Sequence, residues 1–261
     1  MQTTQAFPKA HELPLANAPL VRVLAQVRFE QILTIQNQAS LAPFQDAIRE
    51  TYPLFRAERS RTVVKSPEGS LTIEQPPIWK FCDLAEEWKI SLAPDFLAID
   101  TTVYRSRDEF LARFEMVLEA FSRHLKPGVI SRVGIRYIDR ITDEALSMIP
   151  SLVRPQFVGV LNGIPNVKPE ATASEALFKL GDNHLFARWG LLPPEATVDP
   201  AALEPINKVS WILDIDSSNS KRQPWNQSVL QTSLQELACI SYDFFRWAVT
   251  DDFLDYYGAK T

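Results

Sequence analysis

The sequence predicts an α+β fold, and three observations predict it. Apolar residues alternate with polar ones in several separate runs, they recur at helical spacing in two long runs, and the order strand, helix, several strands, long helix occurs twice. The expected architecture is two similar halves, each an antiparallel sheet with a short helix and a long helix packed across it. The first half covers residues 19–127 and the second 128–261, behind an N-terminal arm of residues 1–18, and the halves form one compact unit.

The arm carries Pro8 and Pro14 and shows no periodicity, so it docks or frays. Val21, Val23, Ala25, Val27 and Phe29 alternate with Arg22, Gln26, Arg28 and Glu30, the pattern of a long antiparallel strand with one covered face. Leu41, Phe44, Ile48 and Tyr52 follow at helical spacing, with Ser40 as a candidate N-cap and Pro53 as the stop. Extended runs at Arg61–Lys65, Leu71–Glu74, Trp88–Leu92 and Phe96–Tyr104, punctuated by Pro67, Gly69, Pro76, Pro77 and Pro94, read as a meander. Ser106 and Glu109 make a capping box for a helix whose stripe of Phe110, Leu111, Phe114, Val117, Leu118 and Phe121 lies across the sheet and ends near Pro127.

The second half repeats this order. Ile130–Ile141 is a long strand, Glu144–Val153 a short helix, and Ala176–Leu180 with Leu185–Leu191 a hairpin across Gly181, Asp182 and Asn183. Val209–Ile215 adds a strand, and Ser228–Val249 is a long helix carrying Leu230, Leu234, Leu237, Phe244 and Phe245. Val27, Arg28 and Phe29 recur 108 positions later as Ile135, Arg136 and Tyr137, and Leu33 and Thr34 as Ile141 and Thr142, which suggests a duplication about a pseudo-twofold axis. The irregular stretch Leu191–Asn207, with four prolines, is the longest connection and the kind that often carries function.

The totals bound the function classes. A chain of 261 residues with 46% hydrophobic and 23% charged residues can bury a sizeable core. A net charge of −5 argues against coating nucleic acid through overall charge, though a local basic strip remains open. Cys82 and Cys239 lie far apart and are expected to be reduced thiols of a cytoplasmic protein. No run of about eighteen apolar residues occurs, so no spanning helix is expected and a membrane is not among the expected partners.

The strongest local anomaly is the strand Ile130–Ile141. Val133, Ile135 and Tyr137 point to one face and Arg132, Arg136 and Arg140 to the other, on which alternate residues follow about 7 Å apart. Arg28 holds the equivalent place in the first half. Guanidinium forks in a row match phosphate or carboxylate oxygens, so a nucleotide, a phosphorylated metabolite or single-stranded RNA would fit. The alternative is a solvated sheet face on which the arginines pair with Asp214 and Asp216 of a neighbouring strand. Asp214 and Asp216 are also a minimal Mg²⁺ pair, although such sites need further oxygen ligands, and no metal is assigned. Asp83, Glu86 and Glu87 form another acidic group, read as a solvated turn before Trp88.

His11, His124 and His184 show no zinc spacing, and no nucleophile elbow, Walker loop or dinucleotide fingerprint is present, so no catalytic residue and no cofactor is assigned. Trp225 beside Lys221 and Arg222 is a candidate partner-binding trio, since a tryptophan next to a basic pair stacks bases or grips a peptide; the alternative is a loop anchor.

Across nearly its whole length the chain resembles a sporadically distributed family of bacterial conserved hypothetical proteins of about 260 residues. The resemblance rests on Leu15–Leu20 running into Gln26–Phe29, Trp79 and the strand to Tyr104, the helix with Phe110 and Phe114, the segment Arg132–Arg140, and Leu213–Asp216. It implies no established activity, and the family's patchy occurrence implies a dispensable module of a mobile defence or toxin–antitoxin locus. Three functions are therefore carried forward. The first is a non-enzymatic binding protein that recognises another protein encoded nearby or an anionic ligand. The second is a nucleic-acid or nucleotide binder working through the arginine-lined face, and the third a metal-dependent enzyme on a phosphorylated substrate.

Overall fold

Strict alternation sets the inner strands. In β1 (Leu20–Phe29), Val23, Ala25, Val27 and Phe29 are buried on one face while Arg22 and Arg28 stand on the other. The computed structural model describes residues 7–59, 61–66, 69–162 and 167–259. After β1 come α1 (Ala42–Ile48), β2 (Leu54–Glu58), the hairpin β3 (Arg61–Ser66) and β4 (Gly69–Glu74), then β5 (Ile78–Cys82), β6 (Trp88–Ala93), β7 (Phe96–Thr101) and α2 (Arg107–Leu125). The chain continues through β8 (Val129–Ile141), the short helices α3 (Asp143–Ser147), α4 (Ile149–Leu152) and α5 (Pro155–Val158), and the strands β9 (Ser174–Leu180), β10 (Asn183–Leu192), β11 (Ser210–Asn219) and β12 (Gln223–Pro224). It closes with α6 (Gln227–Ala248) and α7 (Asp251–Tyr256).

The protein is a mixed α+β fold built on one large antiparallel sheet. Its strand order is β2-β5-β6-β7-β1-β8-β11-β10-β9, with β12 added beside β8. The two sheets expected from the sequence are thus continuous, because β1 and β8 pair directly, Val23 opposite Tyr137 and Arg28 opposite Arg132. β3 and β4 pair with each other in a separate two-stranded ribbon.

Helices cover one face of the sheet. There α1 and α2 enclose an aromatic core of Phe44, Trp79, Phe81, Phe110, Phe114 and Phe121. α6 spans two clusters: Leu230, Leu234 and Leu237 belong to this core, whereas Phe244 and Ala248 join Trp211, Phe157 and Phe253 in the next. Both long helices are capped as short polar side chains allow. Ser106 Oγ accepts from Glu109 N–H at 3.1 Å, and Asn226 Oδ1 accepts from Val229 N–H at 3.1 Å. On the opposite face a smaller cluster of Ile138, Ile212, Leu192, Ala202 and Leu203 lies under the proline-rich connection between β10 and β11.

Several expected boundaries move. Ser40 is not the cap of the first helix; two 3-10 turns at Leu33–Gln36 and Gln38–Leu41 precede α1, and Asn37 accepts from Ala39 N–H. Pro43 in its first turn fixes where the helix begins. The expected helix Glu144–Val153 is broken into α3 and α4, with Pro150 in the first turn of α4. β2, β5 and α7 were not expected, the strand expected to reach Tyr104 stops at Thr101, and β11 runs on to Asn219. The turn between the expected runs Arg61–Lys65 and Leu71–Glu74 includes positions 67 and 68, which lie outside the described residues.

Candidate functional site

The arginine row is present and committed to the chain's own acceptors. Arg136 grips Asp214 in a fork, Nε to Oδ1 at 2.7 Å and Nη2 to Oδ2 at 2.8 Å, while its Nη1 reaches Asp199 Oδ2 at 2.7 Å. Arg132 pairs with Asp216 at 3.1 Å, and Arg140 Nη2 donates to the Glu204 carbonyl at 2.7 Å. Arg188 adds a bond to the Val198 carbonyl at 2.9 Å. Asp199, Val198 and Glu204 all belong to the proline-rich connection, so Arg136, Arg140 and Arg188 fasten it over the sheet. Burial pulls the Arg136 guanidinium down, but the bonds and charges of Asp214 and Asp199 outweigh it and hold the group fully charged. The same contact with Arg136 lowers the Asp199 carboxyl.

Arg28 and Arg136 share a sheet face but not an environment. Arg28 stands opposite Arg132, is half exposed, and pairs with Asp95 at 3.0 Å. Gly134 leaves room for Arg132: an added Cβ there would sit 2.6 Å from its Nη1, so that guanidinium folds over the glycine. Asp214 and Asp216 each face an arginine, and among the described residues no three His, Cys, Asp or Glu side chains gather as a metal site. Lys221 pairs with Asp182 at 3.2 Å and Arg222 with Glu30 at 3.3 Å, while Trp225 turns inward onto Phe29 and Phe121 as a loop anchor. Cys82 and Cys239 are both free thiols. No helix among the described residues is long and apolar enough to cross a membrane.

A further pocket lies on the helix face, where sequence reasoning placed nothing. A pocket of about 370 Å³ has its floor on β8, β11 and β1 (Tyr137, Asp139, Ile215, Leu20), one wall on α6 (Ser241, Tyr242, Phe245) and another at the β7–α2 junction (Thr102–Arg107). Its roof is the N-terminal arm, residues 12–18. The arm is docked, since Tyr242 Oη accepts from Leu13 N–H at 2.8 Å and donates to the His11 carbonyl at 3.0 Å, and Glu12 pairs with Arg107 at 2.6 Å. Ala16 and Asn17 donate to the carbonyls of Gly258 and Tyr257 at 3.0 and 3.1 Å.

The floor is chemically unusual. Along β8 the inward positions read Val133, Ile135, Tyr137, Asp139 and Ile141, so Asp139 occupies a core position and is only 5% exposed. Among the described residues no donor or cation reaches its carboxylate. Burial, with the nearby charge of Asp214 as a lesser cause, pushes its carboxyl up to about 7. Tyr104 and Tyr137 meet edge to face, ring centroids 5.9 Å apart, and burial raises both, Tyr104 to about 12. The one guanidinium in the wall with a buried head, Arg107, is held by Glu12, touches Cys239 Sγ at 3.1 Å and lies over the Tyr242 ring. Its signal in the sequence was the acid at the apolar phase of an otherwise apolar alternation. No family model and no curated protein matches the sequence.

Proposed function

We propose that the protein is a non-enzymatic binding protein and that its binding site is the pocket under the N-terminal arm. The observation that carries this reading is the pocket's construction. Arm, sheet and helix each contribute a wall, and tyrosine hydroxyls and a carboxylate converge on an aromatic interior, the usual make-up of a small-ligand site. In the setting implied by the family resemblance, the protein is a cytoplasmic accessory component of a mobile defence or toxin–antitoxin locus, and ligand occupancy tunes its contact with a protein encoded nearby.

Saturation-transfer NMR of the full-length protein against small aromatic and aliphatic fragments tests the site. Hits are expected with the wild type and are lost in Val103→Trp, which blocks the pocket from its β7–α2 wall; circular dichroism and melting verify that this variant is folded. A wild type without hits, or hits that a folded Val103→Trp retains, overturns the assignment.

A second reading keeps an anionic ligand, nucleotide or RNA, at Arg28 and Arg132. Two arginines directly opposite each other on neighbouring strands repel, and a phosphate between them relieves that cost. Fluorescence anisotropy with a labelled single-stranded RNA tests it: Arg28→Ala with Arg132→Ala weakens binding at least tenfold if the site is there, and unchanged binding removes it.

We also read residues 19–127 and 128–261 as two like halves. In each, the first long strand pairs with the last strand of its own meander, β1 with β7 and β8 with β11, and a long helix follows. The repeat offset of 108 residues supports this, because Gln26 and Gly134, 108 apart, are paired in β1–β8, where a twofold axis between antiparallel strands would pass.

A further inference from the structure

Building on the pocket as the binding site, we propose that its ligand is a small organic cation, an ammonium or amidinium on an aromatic or aliphatic body, whose charged nitrogen is received by the Asp139 carboxylate. Asp139 is the reason. A carboxylate at a core position of a central strand loses hydration and is normally repaid by an arginine, a lysine or backbone donors. Here neither a donor nor a cation among the described residues repays it, yet it lines a pocket.

The groups around it favour a cation over other occupants. From β8 and the β7–α2 junction come the hydroxyls and rings of Tyr137 and Tyr104; from α6, Tyr242; from the C-terminal turn, Tyr257; and on the other face of the sheet, the carboxylate of Asp214, itself held by Arg136. Tyrosine faces attract a cation through their quadrupoles, and their hydroxyls accept hydrogen bonds from an ammonium. The arm adds Glu12, and the two cations of the wall are Arg105, which is exposed, and Arg107, which is neutralised by Glu12. An anionic ligand would meet the Asp139 carboxylate at the floor, opposed in the wall only by Arg105, which is exposed, and by Arg107, which Glu12 already holds.

A cation arriving at this floor also changes the protonation of Asp139. Near neutral pH the buried carboxyl is partly protonated, and the ligand's charge favours the ionised form, so binding releases a proton. Binding therefore strengthens as pH rises from about 6 to about 8, for a ligand that stays protonated over that range.

Three ring-matched probes on the full-length protein decide the matter. Tyramine carries an ammonium, tyrosol a neutral hydroxyl and 4-hydroxyphenylacetate a carboxylate on the same phenol. Isothermal titration at pH 8 is expected to show tyramine binding at least tenfold more tightly than tyrosol and no binding of 4-hydroxyphenylacetate. Tyramine heats measured at pH 7 in buffers of different ionisation enthalpy should reveal proton release. Asp139→Asn is expected to bring tyramine down to the level of tyrosol while leaving tyrosol unchanged, and Asp139→Glu to retain part of the preference. Tyrosol or 4-hydroxyphenylacetate binding as tightly as tyramine overturns the cation assignment and leaves the pocket standing, as does a tyramine preference that survives Asp139→Asn. If no probe and no fragment binds, both the cation and the pocket fall.

Discussion

A carboxylate and a guanidinium, each on β8 and three residues apart, sit on opposite faces of one strand and solve the problem of burial differently. Arg136 is satisfied by two acids, whereas Asp139 has no partner among the described residues. An unfolded aspartate titrates near 3.9 and the folded Asp139 near 7, so between these values the native state holds a proton that the unfolded chain has released. Its contribution is thus most favourable below about pH 4 and is lost as pH rises through about 7. Asp139→Asn removes that slope. Relative to wild type the variant gains stability steadily from pH 4 to pH 7 and levels off above, by a total on the order of a few kcal/mol. Urea midpoints of both proteins at pH 4.5, 6 and 8 check this, and parallel curves would mean that Asp139 does not titrate in that window.

At the scale of elements, the arginine row and the proline-rich connection form one unit. Arg136→Ala leaves Asp214, which is 2% exposed, without its counter-charge, and removing one partner of such a pair costs about 3–5 kcal/mol. Asp199→Ala breaks only the more exposed contact and should cost about 1 kcal/mol or less, while making the 193–209 segment the first site cut in limited proteolysis. Equal losses in the two variants would show that the loop, and not the buried pair, carries the stability. What was legible in the sequence follows the same division. Strands with one covered face, such as β1 and β8, and helices with a continuous apolar stripe and a polar cap, such as α2 and α6, were readable because their pattern is local. β2 and β5 were not, since each is only five residues long, β2 at the sheet edge and β5 directly behind Pro76 and Pro77, too short for alternation to stand out. The pairing of Arg132 and Arg136 with Asp216 and Asp214 was open as an alternative from parity alone, but the third acid, Asp199, comes from an irregular segment whose path no periodicity encodes. The pocket was hidden for the same reason. Its roof is the aperiodic arm, and only Asp139, out of phase with its neighbours, marked it.

Over the whole molecule, the β1–β8 pair and α6 decide how the protein unfolds. The sheet passes without a break from β2 to β9, and α6 places its first turns in the core of the N-terminal half and its last turns in the core of the C-terminal half. Unfolding either half alone would strip β1 or β8 of its inner partner and expose one side of α6. It would also undo the arm, whose Phe7, Leu13 and Leu15 pack on the C-terminal cluster although the arm leads into β1. Each half therefore lacks a core it can keep when the other melts, and a single cooperative transition is expected despite a length at which chains often divide into domains. Differential scanning calorimetry should give one peak whose calorimetric and van't Hoff enthalpies agree. Tyr242→Phe, which removes the hydroxyl that accepts from Leu13 and donates to His11, should lower the midpoint without splitting the peak. Two resolved peaks, or a van't Hoff enthalpy near half the calorimetric value, would mean that the halves melt separately and that the central strand pair is weaker than the cores beside it.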